Sequence, residues 1–193
     1  MALSKGDWIW IVVVAIVVSL ILMIAIAAIS TYNSLARKEV IVDESWAEIN
    51  NMLLRRNDLI PNLVETVKGY ATHERELFEN IAESRAKLAG STTVHDKIGA
   101  ANELSGFLGR LLAIAENYPQ LKANENFLKL QDELAGTENR IAVSRTRYNQ
   151  AVKDFNTAIR IFPSNIMAGI MGYEKKDFFE VPETSKEVPQ VKF

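Results

Sequence analysis

Side chains that could hold a metal ion or catalyse a reaction are few in this sequence, and they lie far apart. The chain contains no cysteine and two histidines, His73 and His95, and neither histidine has a second one three or four residues away. Zinc-binding helices carry paired imidazoles at that spacing, so His73-Glu74 lacks the second half of a zinc-protease motif. The sequence therefore predicts no metal site, no cofactor and no cysteine chemistry.

Two further patterns resemble catalytic motifs but lack the setting that those motifs require. Gly99, Gly106 and Gly109 neither follow a strand pattern nor precede a Lys-Ser or Lys-Thr pair, which argues against a phosphate-binding loop and favours close helix packing. Ser105 lacks the strand-turn-helix setting of an esterase nucleophile. We therefore predict no enzyme and no small-molecule substrate, and the formal net charge of -2 gives no indication of nucleic-acid binding.

Four charged residues occupy positions where helical periodicity favours apolar ones. A heptad row that begins at Val42 contains Arg56, the interleaved row contains Glu74, and a later helical pattern carries Glu138 and Arg145 seven residues apart. Two interpretations are open. Either these long side chains reach solvent from the edge of a coiled-coil-like seam, or they form a charge network between helices that fixes helix register. In the second interpretation Arg56 pairs with an acidic side chain, and Glu138 is the first choice.

The elements that must position these residues begin with an apolar N-terminal stretch. Residues 8–36 contain no Asp, Glu, Lys or Arg, and the almost wholly aliphatic part, 8–28, is about 31 Å long as a helix, which matches the core of a bilayer. Trp8 and Trp10 at one end and Tyr32 at the other are placed to anchor a helix at the membrane interfaces. The lipid bilayer is therefore the first predicted partner.

A cleaved signal peptide is the alternative interpretation of this stretch. Ala25 and Ala27 form an Ala-x-Ala pattern at the depth where a signal peptidase cuts. The uninterrupted apolar length exceeds a usual signal core, however, and this favours the membrane anchor.

Beyond the anchor, the sequence predicts long amphipathic helices. No glycine or proline occurs between Gly6 and Pro61, so the anchor and the first long helix can form one continuous element. The apolar rows continue in phase through Pro61 to Leu88, which predicts a single helix of about 50 residues beyond the anchor. A kink is predicted at Pro61, because proline lacks the amide hydrogen and its ring clashes with the preceding turn.

The remaining helices are delimited by local signals. Gly90 is predicted to cap the first long helix in the left-handed conformation, and Thr93 with Asp96 has the spacing of a capping box. Apolar periodicity then predicts a second helix over residues 94–117 and a third over 124–161.

Together these patterns predict an all-α fold, in which a single N-terminal transmembrane helix is followed by an elongated antiparallel bundle of long helices. We assign residues 1–7 to a short flank, 8–31 to the transmembrane helix and 32–172 to the helical bundle domain. Ser164 is predicted to cap a short apolar turn near the end of that domain. Residues 173–193, rich in Lys, Glu and Pro, are predicted to form a loosely ordered tail.

Two long runs of the sequence resemble the LemA family. Residues 55–74 read RRNDLIPNLVETVKGYATHE, residues 102–180 continue the similarity, and the apolar start ends in YNSL at 32–35. The resemblance covers nearly the whole chain. It implies a single anchor with the N-terminus outside and an antiparallel helical bundle of mostly unassigned biochemical role, and it supplies no catalytic residues that could be transferred.

The leading functional hypothesis is a non-enzymatic scaffold that assembles as a homo-oligomer at the bacterial inner membrane, with another envelope protein as a further candidate partner. It is motivated by apolar residues beside or outside the main rows, which are Leu59, Val64, Phe78, Phe107, Leu112 and Leu128, because residual apolar surface usually marks an interface. The alternative is a monomeric adaptor that recruits an envelope peptidase or stress-response partner to the membrane.

The charges that flank the anchor predict its orientation. Lys5, partly offset by Asp7, lies before the apolar stretch, and Arg37 and Lys38 follow it, with more basic residues further on. Because basic residues are retained on the cytoplasmic side, we predict a single-pass protein of the cytoplasmic membrane with its helical domain in the cytoplasm.

Overall fold

A computed structural model describes the backbone of residues 5–180 and the side chains of residues 8–180. Within these residues the chain forms six helices and no strand: α1 Lys5–Lys68, α2 Arg75–Gly90, α3 Val94–Ala115, α4 Pro119–Lys122, α5 Glu125–Ala158 and α6 Ser164–Met171. The all-α prediction is confirmed. Most of the predicted flank, 1–7, and the end of the predicted tail, 181–193, lie outside the described residues.

The first helix, α1, confirms that the apolar stretch and the first long helix form one element. It has 64 residues, and Pro61 lies inside it without ending it. Its N-terminal part has a mean hydropathy of 3.3 over the best window, so by length and composition α1 is able to cross a membrane. The kink at Pro61 stays a prediction.

The first long helix does not continue to Leu88, and this expectation is wrong. α1 ends at Lys68 and α2 begins at Arg75. In the turn between them, the amides of Tyr70 and Ala71 both donate to the carbonyl oxygen of Val67 at 2.9 Å. Ala71 is fully buried in this turn. After the turn, the same sequence positions face the core, so the apolar rows remain in phase and the sequence gives no sign of the break. The described chain therefore has four long helices, α1, α2, α3 and α5, rather than the three that were predicted.

The connection between α2 and α3 follows one of its two predicted signals. The Thr93 hydroxyl accepts a hydrogen bond from the Asp96 amide at 3.0 Å, which confirms the capping box. Gly90 is not a left-handed cap, because it is the last residue of α2 and has no positive φ. The next residue, Ser91, ends the helix by adopting an extended conformation.

A left-handed glycine instead ends α6. Gly172 has a φ of 69°, its amide donates to the Gly169 carbonyl at 3.3 Å, and the Tyr173 amide donates to the Ala168 carbonyl at 3.0 Å. This pair of hydrogen bonds is a Schellman motif. Ser164 is the first residue of α6, and its hydroxyl lies against preceding carbonyl oxygens rather than capping the helix.

The chain divides into two compact units. The first comprises Met1–Val42 and Lys153–Lys176, and the second comprises Asp43–Val152 and Asp177–Phe193. Leu35, Ala158 and Ala168 form a buried cluster in the first unit. The second unit has the larger core, in which the fully or almost fully buried aliphatic side chains are Ile49, Leu53, Ile60, Leu63, Val67, Ile81, Leu104, Leu111, Leu121, Ile141 and Val152.

The structure corrects one expectation about packing and agrees with a second. An added Cβ at Gly99, Gly106 or Gly109 would meet no described atom within 4 Å, so these glycines do not serve close helix packing. Of the apolar residues expected to remain uncovered, Phe78 is buried, Leu59, Val64, Phe107 and Leu112 are half-buried, and Leu128 is exposed. Five of these six side chains therefore keep some exposed surface, as the sequence pattern predicts.

Candidate functional site

The most unusual group in the second unit is a charged side chain in the apolar core. Arg56 on α1 is 1% exposed. Its Nη1 donates to Glu138 Oε2 on α5 and to Ser105 Oγ on α3, both at 2.8 Å, and its Nη2 donates to the Ala101 carbonyl oxygen at 3.1 Å. Its Nε finds no acceptor among the described residues. One guanidinium thus joins three helices through directed hydrogen bonds.

Local sequence on α3 makes room for this guanidinium. Ala101 and Ser105 are one turn apart, so they lie on the same face of the helix. The small side chain of Ala101 leaves its carbonyl oxygen accessible, and the Ser105 hydroxyl donates to the same carbonyl at 2.8 Å. Ser105 therefore holds a structural hydrogen bond, which accounts for a serine in this apolar pattern.

A second arginine lies close enough to Glu138 for the carboxylate charge to act on it. Burial lowers the pKa of Arg56, and the attraction of Glu138 counteracts this effect. Burial also lowers the pKa of Arg145, with Glu138 opposing and the positive charge of Arg56 adding to the decrease. Arg56 thus pairs directly with Glu138, whose side chain is 46% exposed, and the charge of Arg145 lies nearby. Arg145 covers the ring of Phe179, with its Cζ 4.3 Å from the ring centroid.

The structure therefore brings together three of the four charged residues that the heptad pattern singled out. Arg56, Glu138 and Arg145 are neighbours, whereas Glu74 lies in the turn before α2, where it is the N-cap residue. Its side chain has no hydrogen bond or ion pair with the other three among the described residues. Glu74 falls on the interleaved apolar row only if the first helix continues through that turn, as the sequence pattern predicts.

A segment at the end of the described chain completes this site and was not anticipated. Residues 173–180 were expected to be loosely ordered, but Phe179 is 2% exposed. Its ring centroid lies 6.4 Å from that of Trp46, which in turn lies 5.6 Å from Tyr148. The adjacent aromatic pair in the sequence, Phe178-Phe179, was the available signal for a buried anchor in this otherwise charged tail.

Side chains of the helices hold the backbone of this segment. Asn149 on α5 accepts from the Phe179 amide at 2.8 Å and donates to the Phe179 carbonyl at 3.1 Å. Tyr148 donates to the Asp177 carbonyl at 2.9 Å, and Asn102 on α3 donates to the Glu180 carbonyl at 3.0 Å. These side chains pair with backbone groups of Asp177, Phe179 and Glu180 in the way that a neighbouring β-strand would.

The first unit contains the same kind of contact. Asn156 accepts from the Lys176 amide and donates to the Lys176 carbonyl, both at 2.9 Å. Lys176 also forms an ion pair with Glu39 at 3.3 Å. The prediction of a loosely ordered tail is therefore wrong for residues 173–180, because asparagine amides on a helix can pair with extended backbone in a way that composition does not reveal.

Tyr148 should report on the integrity of this site. Burial, together with the charges of Asp177 and Asp43, raises its pKa to about 12. Because an unfolded tyrosine loses its proton near pH 10, the stabilisation that Tyr148 confers is complete below about pH 10 and is lost as the pH rises to about 12. We expect the tyrosinate absorbance of the intact protein minus that of Tyr148→Phe to titrate about two units above a free phenol. A midpoint near 10 would contradict the burial of this hydroxyl.

The other predicted site residues lie along α1. Trp8, Trp10 and Tyr32 are 65%, 72% and 47% exposed at the two ends of the apolar stretch, and their role as membrane anchors stays a prediction. Pro61 is half-buried.

The histidines lie on exposed surfaces of different elements. His73 precedes α2 and His95 lies in the first turn of α3, where its Nδ1 is 3.6 Å from the Asp177 carboxylate. In the part of the chain that the structure describes, no three His, Asp or Glu side chains are grouped so that they could hold a metal ion.

Comparison with known proteins gives two kinds of match. A family model described as the LemA family matches residues 45–193. Magnetosome protein MamQ 2 of Paramagnetospirillum magneticum is 27% identical over 155 residues, with 67% of this chain and 57% of that protein covered. Protein LemA of Metamycoplasma hominis is 25% identical over 150 residues, with 77% of this chain and 66% of that protein covered. The chain thus spans little more than half the length of the magnetosome relative.

Proposed function

The chain belongs to the LemA family, and from that premise we propose that it is a membrane-anchored, non-enzymatic scaffold whose helical domain packs against further copies of itself. The family match begins at residue 45, so it covers the helical domain. The membrane part of the proposal rests on α1, whose apolar N-terminal stretch is long enough to span a bilayer.

The charges beside this stretch support one orientation. Arg37 and Lys38 follow it directly, and Arg37 is exposed and within reach of lipid headgroups. We therefore propose a single-pass protein of the bacterial cytoplasmic membrane whose N-terminus is outside and whose helical domain is cytoplasmic.

The observation that carries the scaffold proposal is an open groove between α1 and α5 in the second unit. It has a volume of about 310 Å³ and is lined by Met52 on α1 and by Val143 on α5. Val143 is 54% exposed, and Glu48 and Arg147 form an ion pair across the same two helices at 3.3 Å. An apolar centre bordered by charges is typical of a specific protein interface.

We propose that a second copy of this chain occupies the groove. Identical anchors in one bilayer hold the helical domains in the same orientation, so like faces of neighbouring copies are presented at a common height. Such contacts close into rings or extend as arrays according to the rotation between neighbours.

The mass of the full chain in lipid nanodiscs or mild detergent tests this proposal. We expect a particle of more than one copy, and we expect Val143→Lys to shift it to a single copy, because it adds a third cation beside Arg140 and Arg147 in the groove, where Glu48 is already paired with Arg147. Thr146→Lys is the matched control, since it places the same charge at another exposed position of α5. A single-copy particle at every workable concentration would exclude the scaffold and favour a monomeric adaptor.

A further inference from the structure

An uncharged and largely uncovered segment follows α5 in the first unit. From Ile161 to Tyr173 the sequence contains no Asp, Glu, Lys or Arg. Phe162 and Ile170 are 79% and 74% exposed, and Ile161 and Ile166 are both 55% exposed. So much exposed apolar side chain on so short a segment calls for a covering partner.

Both faces of α6 are apolar. Ile166 and Ile170 are one turn apart and form the exposed face, whereas Ala168, on the opposite side, is buried in the cluster with Leu35. A helix that is apolar all round is stable only where both faces leave water. The inner face is already covered within the unit, and the outer face is not.

The contact with Leu35 fixes the position of α6 relative to the apolar stretch of α1. Leu35 lies four residues beyond residue 31, the predicted end of the transmembrane helix, which corresponds to a distance of about 6 Å along the helix axis. Lipid headgroups occupy the first several ångströms outside the hydrocarbon core. If α1 spans the membrane as proposed above, α6 therefore lies at the level of the headgroups.

We propose that α6 and the turn before it form a second membrane contact, in which Phe162, Ile166 and Ile170 insert into the boundary between headgroups and acyl chains. Interfacial helices bind in this way, with their apolar face buried about 5 to 10 Å into the boundary between headgroups and acyl chains. Arg160, which immediately precedes the segment, and Arg37 on α1 are both exposed and suit an anionic lipid surface. This contact would hold the first unit against the bilayer at two points.

Single cysteine variants carrying an environment-sensitive fluorophore test this inference in the full chain, which has no native cysteine. Labels at Ile166→Cys and Ile170→Cys are compared with one in the apolar stretch, Ile24→Cys, and one on an exposed position of α2, Glu83→Cys. The protein is reconstituted in vesicles of equal parts phosphatidylcholine and phosphatidylglycerol with brominated acyl chains. We expect the two α6 labels to be quenched several-fold more strongly by brominated lipid than the Glu83→Cys label, and less strongly by aqueous iodide.

The outcomes separate this inference from the proposal on which it rests. In one outcome, brominated lipid quenches the Ile24→Cys label, but iodide quenches the α6 labels as strongly as it quenches the Glu83→Cys label. In that case α6 lies in water, so the inference is wrong, whereas the membrane anchor is supported. If the α6 labels are protected from both quenchers, another protein copy covers them, and the lipid contact is again wrong. An Ile24→Cys label that brominated lipid does not quench would overturn the anchor itself.

Discussion

Replacing Arg56 with alanine is expected to lower the free energy of unfolding by roughly 2 to 5 kcal/mol, the range for truncating a large buried side chain to alanine. Arg56 is the largest fully buried side chain of the described core, so alanine leaves a cavity as well as an incomplete network. The effect should appear as a decreased midpoint in thermal or urea unfolding in mild detergent, followed by the helical signal in circular dichroism.

Two further variants separate the charge of Arg56 from its volume. Arg56→Met retains most of the side-chain volume without the charge, and apolar replacements of buried ionic groups are often nearly neutral. Glu138→Gln retains the guanidinium in the core but removes its counter-ion. We therefore expect Glu138→Gln to be more destabilising than Arg56→Met, although water can reach the half-exposed position of Glu138 and moderates the loss.

The chain offers a matched control for this comparison. Lys87 on α2 and Glu103 on α3 also form an ion pair between helices, with an N–O distance of 2.9 Å, which is close to the 2.8 Å of Arg56 and Glu138. The Lys87 side chain is 61% exposed, so Lys87→Ala should change stability little. Equal effects of Lys87→Ala and Arg56→Ala would show that the burial of Arg56 contributes nothing.

The sequence predicts which charged residues form this site, but it does not predict whether they are buried like Arg56 or exposed like Lys87. A polar residue on a heptad row is visible in the sequence, and this signal pointed to Arg56, Glu138 and Arg145. Periodicity alone could not decide between a solvated edge and a buried network, because both place the residue at the same position on a helix. The contribution of α3 could not be predicted, because Ser105 and the Ala101 carbonyl are uncharged and do not stand out in the sequence pattern.

The errors about the fold have a related origin. Hydrophobic periodicity reports which face of a segment is buried, but it does not report whether the segment is one helix or two. The turn after Lys68 preserved the phase, so the pattern predicted one helix where there are two. Residues 173–180 were misjudged for the opposite reason: their composition is that of a solvated tail, while the groups that hold them, Asn149 and Asn156, lie on a helix that precedes them in the chain.

Phe179 supplies the largest apolar contribution from this segment, and Phe179→Ala is expected to cost roughly 3 to 5 kcal/mol, as for other buried phenylalanines. The loss has two parts. The ring leaves a cavity beside Trp46, and Arg145 loses the aromatic face that it covers. Because Arg145 is itself partly buried near Arg56, the loss of this contact removes a cation–π attraction that offsets the desolvation of its guanidinium.

Phe178→Ala is the control for this prediction, because it removes the same side chain from the adjacent, half-buried position. Urea unfolding gives the change in stability, and hydrogen exchange of the Phe179 amide, which donates to Asn149, shows whether the segment has left the helices. We expect Phe179→Ala to expose this amide and Phe178→Ala to leave it protected. If the Phe179 amide exchanges at the same rate in both variants, and both unfold at the same urea concentration, the segment is held by its backbone hydrogen bonds alone. The ring of Phe179 then does not anchor it.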